Sequence, residues 1–410
     1  MKLSVVIVSY NVKYYLAQCL RSVEKAIGVL ECGQQGDASG DTAEIIVVDN
    51  HSQDGTVEYL EQCFPASRYP NLHVVACTHN NGFARANNLA IRKSESDLVL
   101  LLNPDTIIGE HVLKDAVCFM RSHPDAGALG VRMLGANGKP APESRRGLPS
   151  PMVAFYKMMG LCGRFPQHRS FGHYYRGYLP WDKPAKIEVV SGAFCMVRKT
   201  VLDTIGLLDE DYFMYGEDID LSYRILKQGA TNWYLPYPIL HYKGESTQKS
   251  SFRYVHVFYQ AMLIFFRKHF SHLGLLVTLP IKTAIWFKAL VALVAMLTNR
   301  IRRSLGFVDR HSDCSSFQYL CFGSRSMVSS CGEILGKHGL RWSSYDSSDP
   351  IYINKVATAQ TEPSVIVLDP QRFSFAAMLS IMRQTANSAV LLGTFQPFTK
   401  SIITSNEIIR

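Results

Sequence analysis

The chain has 410 residues, 47% hydrophobic and 19% charged, which is enough apolar material for full cores and excludes wholesale disorder. Its 43 Lys and Arg against 34 Asp and Glu leave a formal net charge of +9; no nucleic acid is expected as partner, because aromatic and basic residues nowhere interleave as in a recognition module, and an anionic substrate or membrane face accounts better for the charge. Ten cysteines are scattered without a CxxC, which excludes zinc-ribbon and thioredoxin-like folds and favours reduced thiols over a disulfide framework.

In chain order, residues 3–10 (LSVVIVSY) are a short β-branched run that predicts a strand; 3–8 is too short for a signal peptide's apolar region and lacks a small-residue cleavage site. Residues 14–27 place Leu16, Cys19, Leu20, Val23 and Ile27 at helical spacing, and the Gly/Asp/Ser-rich residues 28–43 predict a loop. Strands are expected at 44–50, 72–77 and 98–103, alternating with helices at 56–64, 83–93 and 110–123. Near-continuous apolar strands alternating with helices predict an α/β fold, a mostly parallel sheet flanked by helices and buried on both faces. Such sheets bind ligands beyond the carboxyl ends of their strands. Residues 135–190, rich in Gly, Pro, Arg and aromatics, show weak periodicity and are expected to cover a substrate site. Pattern returns as a strand at 191–199, a helix at 217–229, a strand at 231–236 and a helix at 252–269.

Residues 273–298 are strongly apolar but broken by Pro280, Lys282 and Lys288, and Arg300, Arg302 and Arg303 follow. With Trp286 and Phe287, this composition predicts a helix lying in a lipid interface; a buried soluble helix, a single span or a re-entrant hairpin stays open. Beyond residue 305 the chain turns Ser-rich, and strands at 364–369 and 389–393 around a helix at 374–384 predict a small α/β appendage, possible to read as partly Rossmann-like, with no chemistry of its own. The expected organisation is a catalytic domain over 1–270, an interfacial segment over 271–304 and the appendage over 305–410.

The strand ends carry the chemistry. The first ends Ser9-Tyr10-Asn11 and the second Asp49-Asn50-His51-Ser52; Asn80-Asn81-Gly82-Phe83 follows the third, with Asn87-Asn88 a turn later, and the fourth ends Asn103-Pro104-Asp105. One such end is ordinary turn or cap chemistry, but four in register point to a crevice lined with hydrogen-bonding groups. Asp49 suits the imide N–H of a uracil or thymine ring, the asparagines suit ribose or base edges, and Gly82 permits close backbone approach. Asp105, on a short turn, suits a divalent cation bridging diphosphate oxygens. No Walker A loop and no GxGxxG follows a strand, which argues against P-loop ATPases and dinucleotide dehydrogenases.

SVVIVSYN, VVDNHSQDG, NGFARANN, LLNPD and YGEDIDLSYR, in this order, resemble the inverting family 2 glycosyltransferases, and within them the rhamnosyltransferase-like enzymes that extend lipid-linked polysaccharides. The resemblance covers about residues 3–270. It implies the GT-A-type nucleotide-diphospho-sugar transferase fold and a donor, dTDP- or UDP-linked, contacted by Ser9, Asn11, Asp49, Asn80, Gly82, Asn88 and Asn103. Where the family carries DxD, this chain has Asn103-Pro104-Asp105. The retained acid implies Asp105 as a ligand of Mg2+ or Mn2+, with His241 as the second ligand; the plain alternative for His241 is a packed or capping histidine.

Tyr215-Gly216-Glu217-Asp218-Ile219-Asp220 places acids in a first helical turn, where the dipole favours them whatever their role. The resemblance implies Asp218 as the general base, with Glu217 beside it, whereas Asp220 reads as the structural partner of Arg224 four residues on. Ser191 and Gly192 lie in a segment resembling the family's acceptor-side strand. Arg145 and Arg146 suit a diphosphate, or are simply a solvated basic pair. Trp181 suits a sugar face, or is core.

The implied acceptor is a hydroxyl of a polyprenyl-diphosphate-linked glycan in cell-surface polysaccharide synthesis, met by a peripheral enzyme on the cytoplasmic face of the inner membrane; a homodimer stays open. A processive synthase would need a QxxRW motif and several spans, and a nucleotidyltransferase a Gly-rich signature near the first strand, where SYNVKYY stands instead. The alternative from a different class is a non-catalytic sugar-nucleotide-binding or scaffold protein at the membrane, against which the retained Asp105, Glu217 and Asp218 speak.

Overall fold

The computed structural model describes residues 1–32, 40–242, 252–270, 317–386 and 389–410, with isolated positions between 279 and 298. Most of the expected interfacial segment 271–304, including Lys282, Lys288 and the three arginines, lies outside the described residues, as does 33–39 of the expected loop. Leu279, Trp286, Leu290, Val291, Val294 and Leu297 of that segment are described and exposed, and no helix among the described residues is long and apolar enough to cross a membrane.

The first sheet begins with β1 (Lys2–Ser9), followed by α1 (Lys13–Glu31), β2 (Thr42–Asp49), α2 (Thr56–Cys63), β3 (Leu72–Ala76), α3 (Gly82–Lys93) and β4 (Leu98–Leu102). These four strands are parallel in the order β3-β2-β1-β4. β1 shows why its run is continuously apolar. Leu3, Val5 and Ile7 enter the core with Leu16, Leu20 and Val23 of α1, whereas Val6 and Val8 enter the opposite layer with Ala84, Ala90 and Ile91 of α3. The helix starting near residue 14 continues to Glu31, so residues 28–31 of the expected loop are helical.

The sheet then becomes mixed. β5 (Thr106–Ile108), α4 (Val112–Ser122) and β6 (Ala126–Leu134) precede the irregular region, which contains α5 (Pro151–Met158), α6 (Leu161–Arg164) and β7 (Ala185–Ile187). β8 (Phe194–Arg198) begins three residues later than expected and runs antiparallel between β4 and β6; Ser191–Ala193 is loop, not strand. α7 (Lys199–Ile205) and α8 (Glu217–Lys227) lead to β9 (Thr231–His241), which outruns the expected 231–236. β9 lies parallel to β6, and its far end pairs antiparallel with β5, setting His241 opposite Thr106. α9 (Phe252–His269) closes this part of the chain.

The appendage is a second sheet. It comprises β10 (Gln318–Phe322), α10 (Arg325–Lys337), β11 (Arg341–Tyr345), α11 (Pro350–Thr358), β12 (Ser364–Leu368), α12 (Phe375–Gln384), β13 (Val390–Gln396), β14 (Ser401–Ile403) and β15 (Ile408–Ile409). Its order is β11-β10-β12-β13-β14-β15, parallel through β13 and antiparallel thereafter. It is docked on the first sheet. Tyr15 Oη donates to Thr404 O at 2.8 Å, Gln18 Nε2 donates to Thr394 Oγ1, and the Glu110 carboxylate accepts from Phe375 N and Ala376 N at 2.7 and 2.8 Å, at the N-terminus of α12. Ile107 and Leu240 share one core with Phe375, Met378 and Leu379, so this module backs the β5–β9 pair.

Candidate active site

The strand ends of the first sheet open onto a cavity of about 270 Å³. At one side, Asn103 N donates to Ala193 O at 3.1 Å, which ties the turn after β4 to the loop before β8. Two residues on, Asp105 is buried at the start of β5. Because β9 reaches residue 241, His241 Nε2 lies 3.4 Å from Asp105 Oδ1 and 3.3 Å from Asn103 Nδ2. The predicted ligand pair is thus assembled by pairing between strands that are 138 residues apart at the Asn103–His241 contact.

Asp218 faces the same cavity from the first turn of α8. Its Oδ2 accepts from the Arg146 guanidinium and, at 3.3 Å, from Gly192 N–H. Burial works most strongly against the Arg146 charge, but Asp218, Tyr174 and Glu143 together outweigh it, and the guanidinium ends above its usual range. Glu217 is buried with Oε2 unbonded, and burial first, the Asp218 charge second, push its carboxyl up to about 8. The two neighbouring acids therefore differ: Asp218 is held by an arginine, whereas Glu217 keeps its proton at neutral pH.

Asn80, Gly82, Asn103, Asp105, Arg146, Ser191, Gly192, Glu217, Asp218 and His241 line this one cavity. Gly82 has φ +77°, and a Cβ there would sit 2.5 Å from Phe213 O, so the close backbone approach it permits is to Phe213. Arg146 reaches Asp218 rather than standing free for a phosphate.

Several expected contacts fall elsewhere. Asn88 is buried, donating to Leu208 O and Glu210 Oε1 and accepting from Leu208 N, which fixes α3 to the 207–210 turn. Asn11, at φ +56°, accepts from Gln53 N and donates through its backbone to Ser52 Oγ, clamping two loops together. Arg145 turns away from Arg146: its guanidinium lies 3.5 Å over the Trp181 ring and donates to Leu179 O, and burial lowers its pKa to about 10. That contact also makes Trp181 a packing residue. Ser9 is fully buried behind the cavity wall. Asp49 does not line the cavity; Oδ2 accepts from Ser52 N at 3.0 Å, and Oδ1 is buried without a partner.

Asn50, quoted with the second strand end but given no role of its own, lines the cavity and bonds Asn80 Oδ1, Gly82 O and Asn81 N. Its place directly after Asp49 was the available signal. Phe213, Met214 and Tyr215 also line the cavity and carry no periodic signal.

A second cavity, of about 320 Å³, adjoins the first. The two share Arg146, Tyr215, Glu217 and Asp218, and the remaining walls of the second are mainly apolar, from α5 and α9.

The family model described as Glycosyl transferase family 2 matches residues 4–206. The chain is 28% identical over 233 residues to the N-acetylglucosaminyl-diphospho-decaprenol L-rhamnosyltransferase of Mycobacterium tuberculosis, covering 54% of this chain and 73% of that protein. It is 30% identical over 145 residues to the poly(ribitol-phosphate) beta-N-acetylglucosaminyltransferase TarS of Staphylococcus aureus, covering 35% of this chain and 23% of TarS. Among solved structures, the mannosyltransferase PcManGT from Pyrobaculum calidifontis, in complex with GDP-Man and Mn2+, is similar with a TM-score of 0.42 at 17% identity, over 65% of this chain and 64% of that one. The stretch that supplies the Asn80, Asn103, Asp105, Arg146 and Gly192 side of the crevice is accordingly a family 2 glycosyltransferase domain.

Proposed function

We propose that the protein is an inverting glycosyltransferase that moves a sugar from a dTDP- or UDP-linked donor to a hydroxyl of a polyprenyl-diphosphate-linked glycan, in cell-surface polysaccharide synthesis. The observation that carries the reading is that Asp105 with His241, and Asp218, line one cavity. A donor seated there brings its diphosphate to the first pair and its sugar toward the second acid.

Asp105 and His241 fit a divalent cation such as Mg2+ or Mn2+. One carboxylate and one imidazole converge at 3.4 Å, and no group of three or more His, Cys, Asp or Glu occurs among the described residues, so diphosphate oxygens and water would complete the shell. When bound, such an ion neutralises charge on the departing diphosphate. Asn103, beside both ligands, orients the imidazole or the donor.

In the reaction, the acceptor oxygen forms a bond to the anomeric carbon from the face opposite the leaving group. The bond from that carbon to the diphosphate oxygen breaks, its electron pair leaves with the nucleotide, and the hydroxyl proton passes to Asp218. The Gly192 N–H and Arg146 aim the Asp218 carboxylate. Neutral Glu217 lets one full negative charge, not two, face the incoming alcohol.

The exposed Trp286, Leu290 and Leu297 support peripheral membrane contact through the 271–304 segment, at the face where nucleotide sugars are supplied. The deciding experiment is Asp218→Asn. Transfer is expected to fall about 10²–10⁴-fold while calorimetric binding of UDP or dTDP with Mn2+ stays within twofold. Unchanged turnover would remove Asp218 from its role, and nucleotide binding without transfer or donor hydrolysis in the unmutated protein would favour a scaffold.

A further inference from the structure

The second cavity has a polar floor and an apolar shaft. Its floor is the Arg146, Tyr215, Glu217 and Asp218 edge shared with the donor side, and its walls rise along Ala154 of α5 and Ala261, Met262, Phe265 and Phe266 of α9. A sugar-binding pocket presents several converging hydrogen-bonding groups; away from its floor, this cavity presents chiefly Lys157 and Tyr174, with Lys157 Nζ 3.5 Å from the Tyr174 ring centroid. The other face of the same helix is unusual. Met152, Phe155 and, just after it, Met159 are exposed, as is Phe165 after α6, with exposed Arg164 and Arg169 alongside in sequence. Large apolar side chains interspersed with cations are the composition of a surface that meets lipid headgroups.

We propose that this cavity binds the lipid end of the acceptor, the diphosphate beside Lys157 and the first isoprenoid units between α5 and α9. The proposal rests on the glycosyltransferase reading for its direction: the accepting sugar stands at Asp218, and the chain runs outward past Ala154 to the exposed edge of α5. Three features of this cavity and its surroundings select an isoprenoid diphosphate over a soluble glycan. The lining from α5 and α9 is mainly apolar, Lys157 is the one lysine among its described residues, and the other face of α5 exposes Met152 and Phe155.

The test titrates the full-length protein with farnesyl diphosphate as the probe, with inorganic pyrophosphate and farnesol as its two halves and UDP with Mn2+ as the donor-side probe. Farnesyl diphosphate is expected to bind at least tenfold tighter than either half and to persist in the presence of saturating UDP. Ala154→Trp, which fills the shaft, and Lys157→Glu, which reverses its charge at a half-buried position, are each expected to weaken it at least tenfold with UDP affinity unchanged. Because Ala154→Trp risks the packing of α5, thermal unfolding qualifies that variant, and Lys157→Glu decides alone if it unfolds. No binding of farnesyl diphosphate, its displacement by UDP, or affinity unaltered in the folded variants overturns the proposal. Failure of UDP, dTDP and GDP all to bind, with farnesyl diphosphate still bound, overturns the donor reading instead.

Discussion

Glu217 and Asp218 are consecutive, yet they meet opposite surroundings, and the difference is measurable. Glu217 is protonated in both folded and unfolded chains below its ordinary value of 4.5, so its contribution to stability is fully present there and is lost as pH rises toward about 8. Between pH 5 and 8.5 the melting temperature of the unmutated protein is therefore expected to fall relative to that of Glu217→Gln by an amount on the order of a few degrees, read by calorimetry at matched ionic strength. Equal slopes would show that burial does not hold that proton. Asn88 calls for the opposite experiment. Its amide joins α3 to Leu208 and Glu210 and no ligand contact is expected, so Asn88→Ala should cost about 1–3 kcal/mol and leave the donor KM unchanged. Arg145 and Arg146 show why such roles escape sequence. Adjacent residues on an irregular segment point in different directions, one onto Trp181 and one onto Asp218, and no spacing rule separates them.

At the scale of elements, α8 is held at both ends of its first turn. Tyr215 and Gly216 are both left-handed, at φ +67° and +86°, and the second is the cap residue; the tyrosine pays in backbone strain for a position lining both cavities. Asp220, nearly fully buried, accepts from Arg224 Nε at 2.7 Å and bonds His269 Nε2 at 2.6 Å, fastening α8 to α9. Asp220→Ala should cost about 3 kcal/mol in denaturant unfolding, because Arg224 and His269 lose a shared acceptor.

The elements that sequence disclosed are those with local signals: β1, β2 and β4 through apolar runs, α1 and α3 through periodicity, and the 103–105 and 216–220 motifs through ordered polar strand ends and helix starts. What it did not disclose depends on distant partners. β6 (AGALGVRML) is poor in β-branched residues and becomes a strand because β8 and β9 flank it, and β5 and β7 are three residues each. His241 joins Asp105 only because β9 overruns its expected end. Asp49 and Ser9 were read from the right strand ends, but their side chains lie behind the cavity wall, a distinction that alternation alone does not make.

At the scale of the whole molecule, the appendage is coupled to the catalytic sheet through the core behind β5 and β9. Leu379→Ala, at a fully buried position of that core, should cost about 2–5 kcal/mol and also raise the Mn2+ concentration giving half-maximal transfer, since Ile107 and Leu240 pack in the same cluster. A melting change without any change in Mn2+ response would confine the module to a scaffolding role. The two adjoining cavities carry a consequence for traffic. Reactants that enter by different doorways and touch only at a common threshold do not queue for one opening, so the spent nucleotide need not wait for the lengthened chain to depart. Steady-state kinetics should then show UDP competing with the donor yet acting noncompetitively against the acceptor, and excess donor should not choke the reaction.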